Sequence, residues 1–347
     1  MHYSITNALG TLSQEALDHF VYLIGTARGG TSIFRDALGI HENILMFPGE
    51  THFMNEVWRS RKKVPHSLLR RIVRIPWFFR ETEVTKMIGD EKGSTLKKYI
   101  EKALYSGNLK LMWQVYPLVY SLDPENKKRP EKILCWGDKA NDFYRVGAVR
   151  RHFPKGKFIF IVRDPRGAVS SLAKRMAVKA EYTYDAVIDD VKLIEACIHW
   201  RNMTQQMAYF AKRFPHKTTI IRFEDFLRDP EKVLNKVFIF CTNISLPENV
   251  IIERLQKLRY GASNIPDERG SGISKGPINR WKTFLSDKQV VTIGELAGKT
   301  ALKLGYEAKE FYLKPNFYKI IDRIPSTKRK AVVALKLAYL QMIENLI

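Results

Sequence analysis

Apolar residues along this chain fall into short unbroken runs separated by amphipathic stretches, the pattern of a buried parallel sheet with helices between its strands. The first run, Phe20-Val21-Tyr22-Leu23-Ile24, ends at Gly25; a turn of Arg, Gly, Thr and Ser follows, and helical spacing begins at Ile33. Runs at 44–47, 157–162 and 218–222 predict further strands, with a shorter one from Ile133 that leads into Cys135-Trp136-Gly137-Asp138-Lys139. Helical patterns are expected around Phe143, Val146 and Val149, from about Gly167 with Ser170 and Ser171 in the first turn, over 180–214, and at the C-terminus over 326–347. Residues 57–130 are the least regular and read as a mainly helical insert. The expected architecture is one α/β domain over residues 1–347, a parallel β-sheet flanked by helices and interrupted by that insert.

The turn after the first run carries the chemistry. Gly25, Gly29 and Gly30 let the backbone turn sharply and approach a ligand, and the amides opening the next helix point at whatever sits there. Arg28, Thr31 and Ser32 add a guanidinium and two hydroxyls, a set suited to tetrahedral oxyanions. Strand, Gly-rich loop and helix make a P-loop-like layout. Gly25 and Gly30 have the spacing of G-x-x-x-x-G-K-[ST], yet Thr31 stands where that motif has lysine, and the basic residue lies inside the loop at Arg28. That departure argues against an ordinary ATPase, GTPase or kinase.

Composition narrows the partners. The 347 residues are 45% hydrophobic and 12% aromatic, enough for a packed core, and 58 Lys+Arg against 36 Asp+Glu give a net charge of +22. Such a balance favours a polyanionic partner, whether an acidic glycan, a nucleotide, nucleic acid or an anionic membrane. No recognisable nucleic-acid motif accompanies it. Cys135, Cys197 and Cys241 are widely spaced in apolar surroundings and read as reduced core thiols, and no His/Cys cluster suggests a metal. The first twenty residues lack a basic-then-apolar leader, and no apolar stretch reaches membrane-spanning length, so a cytoplasmic protein is expected, with room for a peripheral membrane contact.

Two further clusters sit at strand ends, where open α/β sheets bind ligands, and a third lies in a loop. Glu50-Thr51-His52-Phe53 follows the 44–47 run, with Glu50 readable either as a helix cap or as a base. The run Lys157-Phe158-Ile159-Phe160-Ile161-Val162 ends in Arg163, with Ser171 on the following helix, a second phosphate clamp. Ser274-Lys275-Gly276 and Trp281-Lys282 lie in a Gly/Ser-rich stretch that suits a mobile lid.

Taken in order, these motifs resemble the sulfotransferase superfamily that uses 3′-phosphoadenosine 5′-phosphosulfate (PAPS), over roughly residues 20–306. The resemblance is nearest to glycan sulfotransferases with a glutamate base. It implies that Arg28, Gly29, Gly30, Thr31 and Ser32 hold the phosphosulfate, that Arg163, Ser171, Lys275 and Gly276 hold the 3′-phosphate, and that Lys139 binds the sulfuryl oxygens. Glu50 is then the base, with His52 the alternative, no metal is needed, and the acceptor is an anionic glycan or glycolipid. Two departures stand out: Lys139-Ala140-Asn141 where Lys-Thr-Pro is usual, and Ser274 where an arginine is usual, a phosphate contact that Arg269 or Arg280 would have to supply. Two rival readings remain at this point: a P-loop nucleotide kinase or hydrolase with a degenerate lysine, and a non-catalytic polyanion or membrane-surface binder.

Overall fold

The computed structural model describes residues 12–47, 110–111, 113–114, 117–118, 128–141, 143–177, 188–258, 273–314, 316, 320, 330, 333–335 and 338. Five strands, β1 (Phe20–Gly25), β2 (Ile44–Met46), β3 (Cys135–Ala140), β4 (Lys157–Val162) and β5 (Thr218–Arg222), form one parallel sheet in the order β2-β3-β1-β4-β5. The helices among the described residues are α1 (Gln14–Asp18), α2 (Thr31–Leu38), α3 (Val146–His152), α4 (Pro165–Ala177), α5 (Asp190–Arg213), α6 (Phe223–Arg228), α7 (Pro230–Thr242), α8 (Glu248–Gln256) and α9 (Asp287–Leu302).

Alternation along the strands sorts their side chains between two cores. Phe20, Tyr22, Ile24, Trp136, Phe158, Phe160 and Val162 face α3, α4, α5 and α9. Val21, Leu23, Cys135, Ile159 and Ile161 face α2, α6, α7 and α8. The result is three layers, helices on sheet on helices, with all three cysteines buried as free thiols. Strand order reverses at β1: the chain steps to β3 on one side and β4 on the other. That reversal opens a crevice at the carboxyl ends of these strands.

Strands β1, β4 and β5 match the apolar runs, whereas β3 extends past its own. Gly137, Asp138 and Lys139 lie within the sheet, paired with Val21, Tyr22 and Leu23 of β1. Pairing with β1 along all three residues, and with β2 at Gly137, overrides the low strand propensity of Gly, Asp and Lys. Helix α4 starts at Pro165 rather than near Gly167, because proline fixes a helical φ at the first position and the Asp164 side chain accepts the Arg166 amide (2.8 Å). Ser170 and Ser171 therefore fall in its second turn.

Phe47 donates its amide to Gly137 O (3.0 Å), the last described bond before residue 48. The described chain resumes continuously at Lys128, beside β2. Its ammonium donates to the carbonyls of Gly39, His41 and Ile44 at 2.7, 2.6 and 2.6 Å, and burial brings its pKa down to about 8. Of the expected insert, Trp113 and Leu118 pack into the first core and Gln114 donates to Leu17 O (3.1 Å), while most of 57–127 lies outside the described residues. Val333 of the expected C-terminal helix is buried in the same core, and most of 326–347 is likewise outside them.

Candidate active site

The loop from β1 to α2 is built on unusual backbone. Gly29 N donates to Thr26 O (2.8 Å), Arg28 takes φ 65° and Gly30 takes φ 94°. Arg28 holds a left-handed conformation that costs a non-glycine residue about 1 kcal/mol or more. Only glycine fits next to it: a Cβ on Gly30 would lie 2.3 Å from the Phe223 ring. No side chain caps α2, so its first-turn amides and the positive end of its dipole face the loop. Thr31 Oγ1 donates to Asn141 Oδ1 (3.1 Å), joining the start of α2 to the end of β3. Arg28 Nε donates to Ser171 Oγ on α4 (3.0 Å).

The loop from β4 to α4 is held from every side. The Arg163 guanidinium donates to Arg28 O (3.1 Å) and Pro277 O (2.8 Å), and it lies over the Phe223 ring at 5.1 Å. The carbonyl of Arg163 accepts from Trp200 Nε1 (3.0 Å). Gly167 leaves room for this side chain, since a Cβ there would be 2.9 Å from Arg163 Nε. Arg166 makes a two-pronged contact with Asp164 (3.0 and 2.6 Å) and lies between the rings of Trp281 (4.4 Å) and Phe311 (5.1 Å). Trp281 thus anchors residues 273–283 over the site, with Lys275 and Gly276 exposed at the turn 276–278 and the Ser274 hydroxyl accepting Gly276 N–H (3.2 Å).

Electrostatics mark the same spot. Burial lowers the pKa of Arg163, an effect opposed by Glu224 and reinforced by the positive charge of Arg28. Burial and then Arg28 also lower that of Arg280. Three guanidinium groups that repel one another cost the fold energy, and an oxyanion between them would relieve it. Lys139 is buried in β3 and counters the charge of Asp36 on α2, a carboxyl that burial nonetheless raises and that Arg35 binds at 2.8 and 2.5 Å.

Arg28, Gly29, Gly30, Thr31, Ser32, Lys139, Arg163 and Ser171 all lie at or just past the carboxyl ends of β1, β3 and β4. The two clamps expected as separate are one connected unit, through Arg28–Ser171 and Arg163–Arg28 O, and Lys275 and Gly276 adjoin it through Pro277 O. Glu50, His52 and Arg269 lie outside the described residues. Sequence reasoning placed Arg280 only as a substitute and missed the supports of Arg163, namely Phe223, Trp200 and Pro277. Nor does any local pattern announce that Glu224 Oε1 accepts the amide of Asp164 (3.0 Å), a bond across sixty residues. Its neighbour Asp225 does pair with Arg222 (2.7 Å). Among the described residues no group of His, Cys, Asp or Glu is arranged to hold a metal ion, and no helix is long and apolar enough to cross a membrane.

The fold and this arginine-lined cradle define a P-loop-like α/β protein built to hold anionic groups at the carboxyl edge of its sheet. A family model described as "Sulfotransferase family" matches residues 21–245, and the chain belongs to that family of enzymes. A Caenorhabditis elegans protein provisionally named a protein-tyrosine sulfotransferase is 21% identical over 203 residues, 53% of this chain and 74% of that one. The sulfotransferase domain from the curacin biosynthetic pathway has a similar fold, at TM-score 0.51 and 18% identity, covering 83% of this chain and 98% of that one. Retinol dehydratase in a complex with retinol and PAP aligns at TM-score 0.41 and 14% identity over 86% of this chain and 84% of that one.

Proposed function

We propose that this sulfotransferase moves the sulfuryl group of PAPS to a hydroxyl or amine of a glycan-type acceptor by in-line displacement. The observation that carries the donor is the linked cradle. A glycine-shaped loop and the uncapped start of α2 suit a 5′-phosphosulfate, while Arg163 and Ser171, both hydrogen-bonded to Arg28, and Arg280, whose charge Arg28 opposes, suit a second phosphate. Donor binding thus needs no metal, because fixed guanidinium charge neutralises both groups.

In the transfer, a bond forms from the acceptor oxygen or nitrogen to sulfur as the bond from sulfur to the bridging oxygen breaks. The acceptor proton passes to Glu50, with His52 as the alternative base, and 3′-phosphoadenosine 5′-phosphate (PAP) leaves. Arg28 meets the charge that develops on the bridging oxygen, and Lys139 binds the sulfuryl oxygens. Lys275 and Gly276 close over the 3′-phosphate. A net charge of +22 and a glutamate base favour an anionic glycan or glycolipid acceptor. A second reading, a tyrosine of a protein, is favoured by the name of the Caenorhabditis elegans relative.

The test is calorimetric titration with PAP beside ADP, without magnesium, followed by turnover of PAPS against a panel of glycans and tyrosine peptides. Tight PAP binding with weak ADP binding is expected; equal or absent binding refutes the donor. The Glu50→Gln variant is expected to lose turnover while keeping PAP affinity within about threefold, and loss of PAP binding in it refutes the base.

A further inference from the structure

The segment that carries Arg163 is gripped by two buried side chains from distant parts of the chain. Glu224 Oε1 accepts the amide of Asp164 (3.0 Å). The Tyr306 hydroxyl lies 2.9 Å from Val162 O and 2.8 Å from Glu224 Oε2. Residues 162 and 164 flank Arg163, so this pair fixes the backbone from which the guanidinium projects. Both side chains are nearly inaccessible to solvent, at 5% for Glu224 and 7% for Tyr306.

Counting protons on this network gives more than a positional role. A carbonyl only accepts, so the contact with Val162 uses the single proton of the Tyr306 hydroxyl. The one proton cannot serve both oxygens, and with it directed at Val162 O the 2.8 Å contact with Glu224 becomes a hydrogen bond in which the carboxyl supplies the proton. We propose that Glu224 is a protonated, neutral carboxylic acid that donates to Tyr306, which donates to Val162 O, and that this relay positions Arg163 while leaving its positive charge free for the 3′-phosphate of the donor. The proposal rests on the donor reading above.

The groups that face Glu224 agree with this. From just past the end of β4 come Arg163 and Asp164, the latter bound by Arg166; Tyr306 comes from the segment after α9; Arg222 at the end of β5 pairs with Asp225 of α6. Burial is the main influence on Glu224 and raises its pKa; the bond from the Asp164 amide, and Tyr306 wherever it donates, oppose that rise, and the Asp164 charge adds a smaller upward push. An ionised Glu224 would set a carboxylate beside Arg163 and compete with any phosphate for that charge. A neutral acid makes the same positioning bonds without the competition.

Two measurements on the whole protein decide the matter. Infrared difference spectra at neutral pH, wild type minus Glu224→Gln, are expected to show the carbonyl stretch of a protonated carboxylic acid. In calorimetry with PAP, Glu224→Gln, which keeps one acceptor and a donor toward Tyr306, is expected to bind within about threefold of wild type, and Glu224→Ala about tenfold more weakly. Absence of the acid band overturns the proposal, as does tighter PAP binding by Glu224→Gln, because both mean that the wild-type group is an anion. A band accompanied by equal binding in Glu224→Ala overturns the positioning role. If Glu224→Ala fails to fold, the glutamine variant and the spectrum still decide, and if wild type binds no PAP the donor reading fails while the band still reports on Glu224.

Discussion

The loops after β1 and β4 are two answers to one problem, how to present an arginine at the edge of a parallel sheet. Arg28 sits on a strained, glycine-shaped turn and is held by one side-chain bond, to Ser171. Arg163 sits on ordinary backbone and is held by two carbonyls, an aromatic face and a buried relay behind it. A guanidinium with one neutral partner can follow charge as it develops, whereas one fixed from all sides offers an unchanging charge. Under the function proposed above, the contrast suits Arg28 to the reacting phosphosulfate and Arg163 to the phosphate that does not react.

The largest effect expected from this contrast is on turnover. Arg28→Ala should lower kcat about 10²-fold or more while changing the dissociation constant of PAP much less, as expected for a group acting mainly on charge that appears in the transition state. Steady-state kinetics beside calorimetry would show it, and an equal loss in both quantities would erase the distinction between the two arginines. Arg163→Ala should show the opposite split, with PAP affinity down about 10- to 100-fold from the loss of charge-assisted bonds. Gly30→Ala, which combines φ 94° with a Cβ 2.3 Å from the Phe223 ring, should destabilise the protein by about 1–3 kcal/mol and weaken PAP binding. Thermal unfolding with and without PAP measures both effects, and an unperturbed variant would mean that the loop readily finds another path.

The smallest effect is remote from the site and serves as its control. Burial, then the Lys128 charge, push the His41 imidazole down to about 4. A folded pKa below the unfolded value of about 6.5 means that the unfolded chain takes up the proton first. Stability from this group is therefore present above about pH 6.5 and is lost as pH falls toward 4. His41→Gln should flatten that limb of the unfolding profile without altering PAP affinity at neutral pH.

Legibility in the sequence followed the range of the interactions. Strands β1, β4 and β5 were readable because they are nearly pure apolar runs, and the cradle because its glycines, Arg28 and hydroxyls are contiguous. Strand β3 was half hidden, since Gly137, Asp138 and Lys139 look like a loop until β1 is placed beside them. The supports of Arg163 were unreadable: Trp200, Phe223, Pro277 and Tyr306 are ordinary residues far apart in the chain, and only the folded backbone brings them to one guanidinium. Arg280 was visible as a spare cation, but not as a neighbour of Arg28.

The ammonium of Lys128, bound to three carbonyls around β2, bears on how such an enzyme can change. The chain departs at Phe47 and is fastened again at Lys128 on the same short strand, so the residues between are a detour whose two ends meet at one mooring. Closing a long detour costs little more entropy than closing a short one. A change in chain length between these two moorings therefore costs the sheet little, provided that Glu50 and the core contacts of Trp113 and Leu118 are kept.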